Sequence, residues 1–480
     1  MSMQYCMRRQ KRQCSPTQPQ GFLMSAITHL VTSFAADLQL DKAPRQVVDR
    51  AILALRDFLG ISLAEADSPL TQRLLRVANL SGGSGTCQIP GREERLSPFW
   101  GAAVLGTSTH HAELDDGHRG GHVHPGVTTI PALLMDAQRR PTAGTDLLSG
   151  LIASYEVSIR IGTAISPGAQ YERGFHIPGL VGTIGSAIGV SRMRRLDQSS
   201  VEQALGASVL GPLAPFAAFS SGAAVKDFYG GWPAGMGILS NDLAAEGIPG
   251  PPGLFDDSMG WLTTVGATAQ TEGFGDDLGS SWRILETYVK VHAACSFSHT
   301  PIDAALELHP HGTTAEDIAE VVVATHVFAD RLDDTAPRTP QGARFSIPWV
   351  VAAALLRGRV APEDSSQVAL DDPTLRQLAK RVRVISDDEA TRRHLEDDRV
   401  RPARVEVRYT NGSTRSAARS VGRGGPEQPL SETEVHQRFT TLLQGYDGDS
   451  AEQVWDACGQ ICRPDGVPTL IRTLSKMRRK

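Results

Sequence analysis

Five of the fourteen histidines in this chain lie within fifteen residues, at His110, His111, His118, His122 and His124. The same stretch carries four further charged residues, which are Glu113, Asp115, Asp116 and Arg119. Imidazole groups change charge near neutral pH, and carboxylates beside them can accept protons or bind metal ions. The composition of this stretch therefore indicates proton transfer or metal binding.

Lysine is rare in this chain, and two lysines lie in apolar surroundings. Only seven of the 48 basic residues are lysines, so arginine supplies most of the positive charge. Lys226 follows an uncharged run, and Lys290 lies between two valines. A lysine presents a compact ammonium group that can bind an anionic substrate. The alternative is that Lys226 pairs with a carboxylate and that Lys290 lies on the exposed face of a strand.

The composition argues against several classes of protein. The net charge of −5 at pH 7, with no basic stripe, argues against nucleic-acid binding. The six cysteines are scattered, which is typical of reduced thiols, and we expect a cytoplasmic protein. The uncharged run 203–225 contains Pro212, Pro215 and many small residues, so it predicts a buried helical hairpin and no membrane span.

The elements that must position these residues change in character along the chain. Residues 1–23 are basic, and we expect a disordered or non-native extension, with a transit peptide as the alternative. Residues 24–284 show helical spacing of apolar residues, broken by glycine and proline. Ser199 and Glu202 have the spacing of a capping box that begins a helix.

Beyond residue 285 the pattern changes to short alternating segments. The predicted strands are Val321–Val323, Val382–Ile385 and Val405–Tyr409, with a hairpin turn at Asn411-Gly412. Ser431 and Glu434 form a second capping box, which begins a C-terminal helix. The chain is therefore predicted to be mainly α-helical, with a large helical domain built from both ends and an inserted α+β domain. The predicted domains are 24–284 and 429–480 for the helical part and 285–428 for the insertion.

Several short blocks, in the order in which they occur, resemble the MmgE/PrpD family of 2-methylcitrate dehydratases and cis-aconitate decarboxylases. The blocks are His111–Asp116 with His124-Pro125-Gly126, Gly174–His176 leading into Gly182–Gly185, Lys226 with Gly230–Trp232, Lys290–His299, and Phe345–Trp349. Each block alone is weakly specific. Together they extend over nearly all of the chain from Met24.

The resemblance implies a set of site residues. The positions that match the family's active-site acid, histidines and lysines are Glu113, His124, His176, Lys226 and Lys290, and we predict that they are catalytic. The predicted substrate-binding residues are Asp116, Gly117, His118, Arg119 and Trp349. Three positions depart from the family, because Glu113 replaces an aspartate, Gly117 a frequent threonine and Trp349 a common tyrosine.

The resemblance also implies an activity. Family members are typically homodimers that use neither a metal nor an organic cofactor, and their α+β domain forms a lid. We therefore expect a lyase for small di- or tricarboxylates, most simply one that dehydrates a 2-methylcitrate-like acid. His124 or His176 would exchange the proton on carbon, and Lys226 and Lys290 would hold carboxylates.

Other functions stay open at this point. Decarboxylation of a cis-aconitate-like acid, and epimerisation of an amino- or imino-dicarboxylate, use the same groups differently. A metal site built from His122, His124, Asp115 and Asp116 would indicate a metal-dependent hydrolase. In a lyase, these carboxylates would instead orient the histidines. The substituted pocket positions also leave a non-catalytic homologue as an alternative.

Overall fold

The computed structural model describes residues 27–166, 169, 173–220, 223–265, 271–309 and 314–479. The predicted extension 1–23 lies outside these residues. The helices before residue 285 are α1 (Ile27–Asp37), α2 (Arg45–Ala64), α3 (Pro69–Leu80), α4 (Pro98–His111), α5 (Pro125–Ala137), α6 (Gly144–Ile165), α7 (Ile177–Met193), α8 (Gln198–Ala207), α9 (Ala217–Ser220), α10 (Phe228–Ala245) and α11 (Trp261–Thr264). The later helices are α12 (His299–Leu308), α13 (Pro340–Arg344), α14 (Ile347–Arg357), α15 (Gln367–Leu370), α16 (Pro373–Ala379), α17 (Asp388–Glu396), α18 (Glu432–Leu442), α19 (Gly448–Gly459) and α20 (Gly466–Lys476).

Helix α7 packs against α5, α6 and α10 in the helical part of the molecule. Its small residues permit this close approach. A Cβ atom added at Gly182 would lie 2.6 Å from the methyl group of Thr128 on α5 and 2.9 Å from Pro233 on α10. The residues that immediately precede α5, α7 and α10 carry much of the candidate site.

The strands form two sheets. A small antiparallel pair joins β1 (Ser84–Gln88) to β2 (Arg95–Leu96). The larger sheet has the order β4-β3-β5-β6, formed by β3 (Ile318–Thr325), β4 (Val382–Ser386), β5 (Ala403–Tyr409) and β6 (Thr414–Arg419). Strand β3 runs parallel to β4 and antiparallel to β5. The three predicted strands and the hairpin turn, where Gly412 has a φ of 86°, are confirmed.

The hydrophobic residues form two main cores. The first combines buried residues from Ile27 to Ile284 with residues 435–477 of the C-terminal helices. The second contains buried residues from Ala294 to Tyr409. The protein is therefore mainly α-helical, with an α+β unit inserted between the two parts of a helical body, as predicted. The domain boundaries at residues 284 and 428 stay predictions.

Two local predictions in the helical part were wrong. Helix α8 is capped by Asp197, whose side chain accepts the Ser200 backbone N–H, so Ser199 lies inside the helix. The run 203–225 does not form a buried hairpin within its described residues, because it contains only the end of α8, short turns and α9, and Leu213 is 67% exposed. Among the described residues, no helix is long and apolar enough to cross a membrane.

Candidate active site

The histidine-rich stretch begins at the end of α4, with His110 and His111, and continues through the connection to α5, residues 112–124. A β-bridge pairs Gly117 in this connection with Tyr288, in the segment between the two cores. Glu113 has a φ of 53°, a left-handed backbone conformation that costs a non-glycine residue about 1–3 kcal/mol. The contacts of its carboxylate hold the residue in this conformation.

Glu113 binds both of the lysines that the sequence singles out. Lys226 Nζ donates to one carboxylate oxygen of Glu113, and Lys290 Nζ donates to the other at 2.6 Å. All three side chains are at most 3% exposed. Burial alone would raise the pKa of Glu113, but the two ammonium groups lower it well below its usual range. The cluster therefore holds an ionised carboxylate between two ammonium groups at neutral pH.

Asp115 contacts two histidines, and the Asp116 carbonyl oxygen beside it fixes the proton on one of them. Its Oδ2 atom lies 2.8 Å from His110 Nδ1 and 3.0 Å from His124 Nδ1. His124 Nδ1 also lies 2.7 Å from the carbonyl oxygen of Asp116, which can only accept a hydrogen bond. Nδ1 of His124 therefore carries a proton, and Nε2 of the neutral ring is a proton acceptor. Asp115 can stabilise the imidazolium that forms when Nε2 gains a proton.

His176 lies immediately before α7, and its ring packs near Tyr229 and Phe216. Burial lowers the pKa of His176 well below its usual range, and the nearby Lys226 ammonium lowers it further. His176 is therefore neutral at pH 7, a state in which an imidazole can accept a proton but is not an imidazolium donor.

Asp116 supports the loop from behind. It accepts hydrogen bonds from the Gly126 backbone at 3.1 Å and from the Tyr155 hydroxyl at 2.6 Å. Burial raises the pKa of Asp116. These contacts tie the loop to the start of α5 and to α6. Asp116 was predicted to bind substrate, but it lies beneath the cavity and does not line it.

A cavity of about 550 Å³, including its solvent-filled mouth, lies above these groups. All five predicted catalytic residues line it, together with the predicted substrate-binding residue His118. The other lining residues are His122, Val123, Pro178, Phe216, Tyr288, Cys295, Ser296, Phe297, Phe345 and Arg401. The helical body and the α+β unit therefore both contribute walls.

The structure places Arg119 and Trp349 away from this cavity. Arg119 lines a smaller neighbouring cavity, and its guanidinium pairs with Glu427 at 2.9 Å. Trp349 is 1% exposed within the second core, and its indole N–H donates to the Asp364 carbonyl oxygen at 2.9 Å. Neither residue is positioned to touch a ligand in the main cavity. His118 lines the cavity, with Nε2 at 3.1 Å from Glu286.

Gly117 leaves space for Tyr288. A Cβ atom at Gly117 would overlap the Tyr288 hydroxyl and would lie 2.7 Å from ring carbon Cζ. Gly117 itself does not line the cavity, whereas Tyr288 does. At this point of the site, a tyrosine from another segment takes space that a side chain at position 117 would otherwise occupy.

Sequence reasoning missed several lining residues. Tyr288, Ser296 and Phe345 were not assigned roles, although Ser296 and Phe345 lie in blocks that carried the family resemblance. Arg401 is in a segment without any motif, more than 100 residues beyond Lys290. Its approach to the cavity depends on how the α+β unit packs. The sequence offered no stronger signal than an arginine shortly before the predicted strand Val405–Tyr409.

Three groups in the site lie close enough to hold a metal ion. Ligand atoms of His110, Asp115 and His124 all lie within 4.8 Å of one another. The metal site considered from sequence differs, because His122 has a φ of 50° and its ring pairs with Ser166 and Asp398. The Nδ1 proton of His124, directed at a carbonyl oxygen, occupies one of the positions a metal would need.

Comparison with known families agrees with this site. The model of the MmgE/PrpD N-terminal domain matches residues 30–273, and that of the MmgE/PrpD C-terminal domain matches residues 292–460. The first match covers most of the N-terminal part of the first core, and the second covers the second core and the C-terminal residues 435–460 of the first. The chain belongs to the MmgE/PrpD family.

Curated relatives of this chain are lyases. It is 21% identical to a cis-aconitate decarboxylase of Aspergillus terreus, over 94% of this chain and 96% of that protein. It is 22% identical to a cis-aconitate decarboxylase of Mus musculus, over 95% and 91% of the two chains. A 2-methylcitrate dehydratase of Cupriavidus necator is 30% identical, over 28% of this chain and 31% of its own length. These names support an enzyme of the lyase class.

Proposed function

We propose that this protein is a lyase that acts on a small di- or tricarboxylate. The observation that carries the proposal is that the five residues predicted to be catalytic, from four separate parts of the chain, line one cavity. Two ammonium groups and an oriented histidine suit chemistry beside a carboxylate, which requires a proton to move at carbon and negative charge to be held.

In a decarboxylation, His124 acts as the acid. The bond between the substrate carbon and its departing carboxylate breaks, and the electron pair stays on the carbon side. His124, in its imidazolium form, then delivers the Nε2 proton to carbon, and Asp115 keeps Nδ1 oriented. The relatives that match along most of this chain are named cis-aconitate decarboxylases. We therefore place decarboxylation of a cis-aconitate-like acid first.

Dehydration is the second candidate, and the partial match to a 2-methylcitrate dehydratase favours it. Here neutral His124 removes the proton from carbon through Nε2. The C–H electron pair forms the double bond as the hydroxyl group leaves as water, with a proton supplied by the site. Lys226 and Lys290 would hold the charge that builds on the adjacent carboxylate. Epimerisation would instead need His124 and His176 on opposite faces of one carbon.

The test is to incubate purified, chelator-treated protein with cis-aconitate, 2-methylcitrate, citrate and iminodisuccinate. Mass spectrometry follows product formation, and proton NMR in deuterated water follows exchange at carbon. Loss of carbon dioxide or of water supports the proposal and names the reaction. Exchange without loss of mass supports an epimerase. Turnover that appears only after a metal ion is restored would contradict the proposal and favour a metal-dependent enzyme.

A further inference from the structure

One buried arginine reaches the main cavity from the α+β unit. Arg401 lies between α17 and β5, and its side chain is 4% exposed. Its backbone N–H donates to the Ser420 carbonyl oxygen at 2.8 Å, which fixes the segment beside the sheet. The guanidinium carbon lies 4.5 Å from the centre of the Phe297 ring, and Nη1 donates to Ser296 Oγ at 2.8 Å. These contacts hold the guanidinium in one position.

The charge of Arg401 is less closely balanced than the charges of the two lysines. Lys226 and Lys290 each bind one oxygen of Glu113. Among the described residues, the carboxylate within 4.0 Å of the Arg401 guanidinium is that of Asp398, at 3.9 Å, and the same carboxylate lies 2.9 Å from His122 Nε2. Nε of Arg401 is buried and has no hydrogen-bond partner in the described part of the chain. When an anion binds, such a buried cationic donor gains a hydrogen bond and an opposite charge.

Arg401 also stands where two cavities adjoin. A smaller cavity of about 270 Å³ shares Tyr288, Ser296 and Arg401 with the main one, and it adds Arg119 and Arg423. The additional arginines already have close carboxylate partners, Glu427 and Glu434 respectively. At this junction, Arg119 and Arg423 are each paired with a carboxylate, whereas the carboxylate within 4.0 Å of Arg401 among the described residues lies at 3.9 Å.

We infer that Arg401 and Ser296 form a second carboxylate-binding position, which holds a carboxylate of the substrate remote from the carbon that exchanges its proton with His124. This deepens the proposed function and takes its substrate class from it. A ligand that reaches from the two lysines to Arg401 carries at least two carboxylates. The planar guanidinium, which lies over the Phe297 ring, can bind a carboxylate with two parallel hydrogen bonds, which a lysine at that position cannot do.

The experiment measures binding of tricarballylate by titration calorimetry, to the wild type and to Arg401→Met and Arg401→Lys. We expect Kd to rise about 10- to 100-fold in Arg401→Met, the effect of losing hydrogen bonds to a charged group, and less in Arg401→Lys. With a turned-over substrate, KM should rise by a similar factor while kcat changes less than about fivefold, since the position is remote from the reacting carbon.

The matched control is Arg404→Met, because Arg404 is exposed on β5 and pairs with Glu406. Its Kd should stay within twofold of wild type. Thermal melting checks that each variant folds. If Arg401→Met does not fold, the Kd of Arg401→Lys tests the inference. An unchanged Kd in a folded Arg401 variant, or a wild type that binds no tricarballylate, overturns the inference. Binding that depends on Arg401 without turnover of any tested acid would leave the inference standing and remove the lyase proposal.

Discussion

The hydrogen-bond partners of the two ring nitrogens of His124 are the basis of the proposed chemistry. Two oxygen acceptors, the Asp115 carboxylate and the Asp116 carbonyl, surround Nδ1 at 3.0 and 2.7 Å. They leave Nε2 as the atom that exchanges a proton. His110 shares the same Asp115 oxygen from the end of α4, so it holds the carboxylate in place.

Replacing His124 with asparagine should remove turnover without unfolding the protein. Loss of a general acid or base lowers kcat about 10²- to 10⁴-fold. Asparagine cannot exchange a proton at the Nε2 position, while its amide can still donate to nearby oxygens. The measurement is kcat on any acid that the wild type converts, with melting temperature as the folding check. The control His436→Asn changes a half-buried histidine of α18 that does not line the cavity, and it should retain full activity. Near-wild-type kcat in His124→Asn would reject the assignment.

Gly117 and Tyr288 should behave as a coupled pair. The variant Gly117→Thr restores the residue type frequent in the family, but its Cβ would overlap the Tyr288 hydroxyl. We expect it to lower the free energy of unfolding by about 1–3 kcal/mol, as overpacking does. Adding Tyr288→Ala removes the overlap, so the double variant should be more stable than the sum of the single effects predicts, by about 1 kcal/mol or more.

Urea unfolding of the wild type, both single variants and the double variant measures this coupling. Gly120→Thr serves as the control in the same loop, because among the described residues a Cβ there would meet only a His118 ring carbon, at 3.6 Å. Strict additivity of the two changes would show that Tyr288 does not occupy the space next to position 117.

At the scale of elements, the C-terminal helices support the catalytic loop. The Arg438 guanidinium on α18 pairs with the Asp57 carboxylate on α2, and Nη2 donates to the Leu114 carbonyl oxygen at 3.0 Å. Burial raises the pKa of Asp57 to about 6, even though Arg438 lowers it. One side chain from the last part of the chain thus joins a core helix to the loop that carries Glu113 and Asp115.

Replacing Arg438 with methionine should destabilise the protein most at high pH. Breaking a fully buried ion pair lowers the free energy of unfolding by about 3–5 kcal/mol. We expect a smaller loss here because Arg438 is partly exposed. When folding raises the pKa of an acid, the protein loses stability as pH rises towards the folded-state pKa. Without Arg438 the folded-state pKa of Asp57 rises further, so the variant goes on losing stability to a higher pH. The difference from wild type should therefore be small at pH 5 and larger at pH 8.

Urea unfolding at both pH values measures this difference, and Asp57→Asn in the Arg438→Met background should recover part of it. The exposed Arg472 on α20 provides the control Arg472→Met. A difference that is the same at pH 5 and pH 8 would contradict the role given to Asp57.

The sequence predicted elements better than contacts. The strands around Val405–Tyr409 and the Ser431 cap followed from alternation and spacing, which are local properties. The cap of α8 was missed because Asp197 and Ser199 are both good cap residues two positions apart, and only packing selects between them. The ordered motifs correctly identified five residues that line the cavity. They could not indicate Arg401, since its position depends on the packing of one unit against another.

At the scale of the whole molecule, the cavity lies where the helical body and the α+β unit meet. Arg344 of the α+β unit donates to the His111 carbonyl oxygen at the end of α4, and Asp398 pairs with His122 of the loop. The two units therefore share hydrogen bonds around the site, and residues from both line it. A change in how they pack would alter the position of Arg401 relative to His124, and with it the length of ligand that the cavity accepts.

A buried acid of the helical body should contribute to the pH dependence of the free energy of unfolding. Glu156 on α6 accepts the Ile284 backbone N–H at 3.0 Å, and burial raises the pKa of Glu156 from 4.5 to about 7. The unfolded state then ionises first as pH rises, so stability falls between about pH 4.5 and 7, by roughly 1.4 kcal/mol per unit of pKa difference.

The variant Glu156→Gln keeps an acceptor for the Ile284 backbone N–H and removes this titration. Its free energy of unfolding should match or fall below wild type at pH 5 and exceed it by about 1–3 kcal/mol at pH 8, since only the wild type has to bury a group that ionises. Urea unfolding at the two pH values measures the change, and Glu452→Gln, at an exposed position, is the control. A wild type that stays more stable than Glu156→Gln at pH 8 would show that Arg160, 3.6 Å away, compensates the charge of Glu156 in the folded protein.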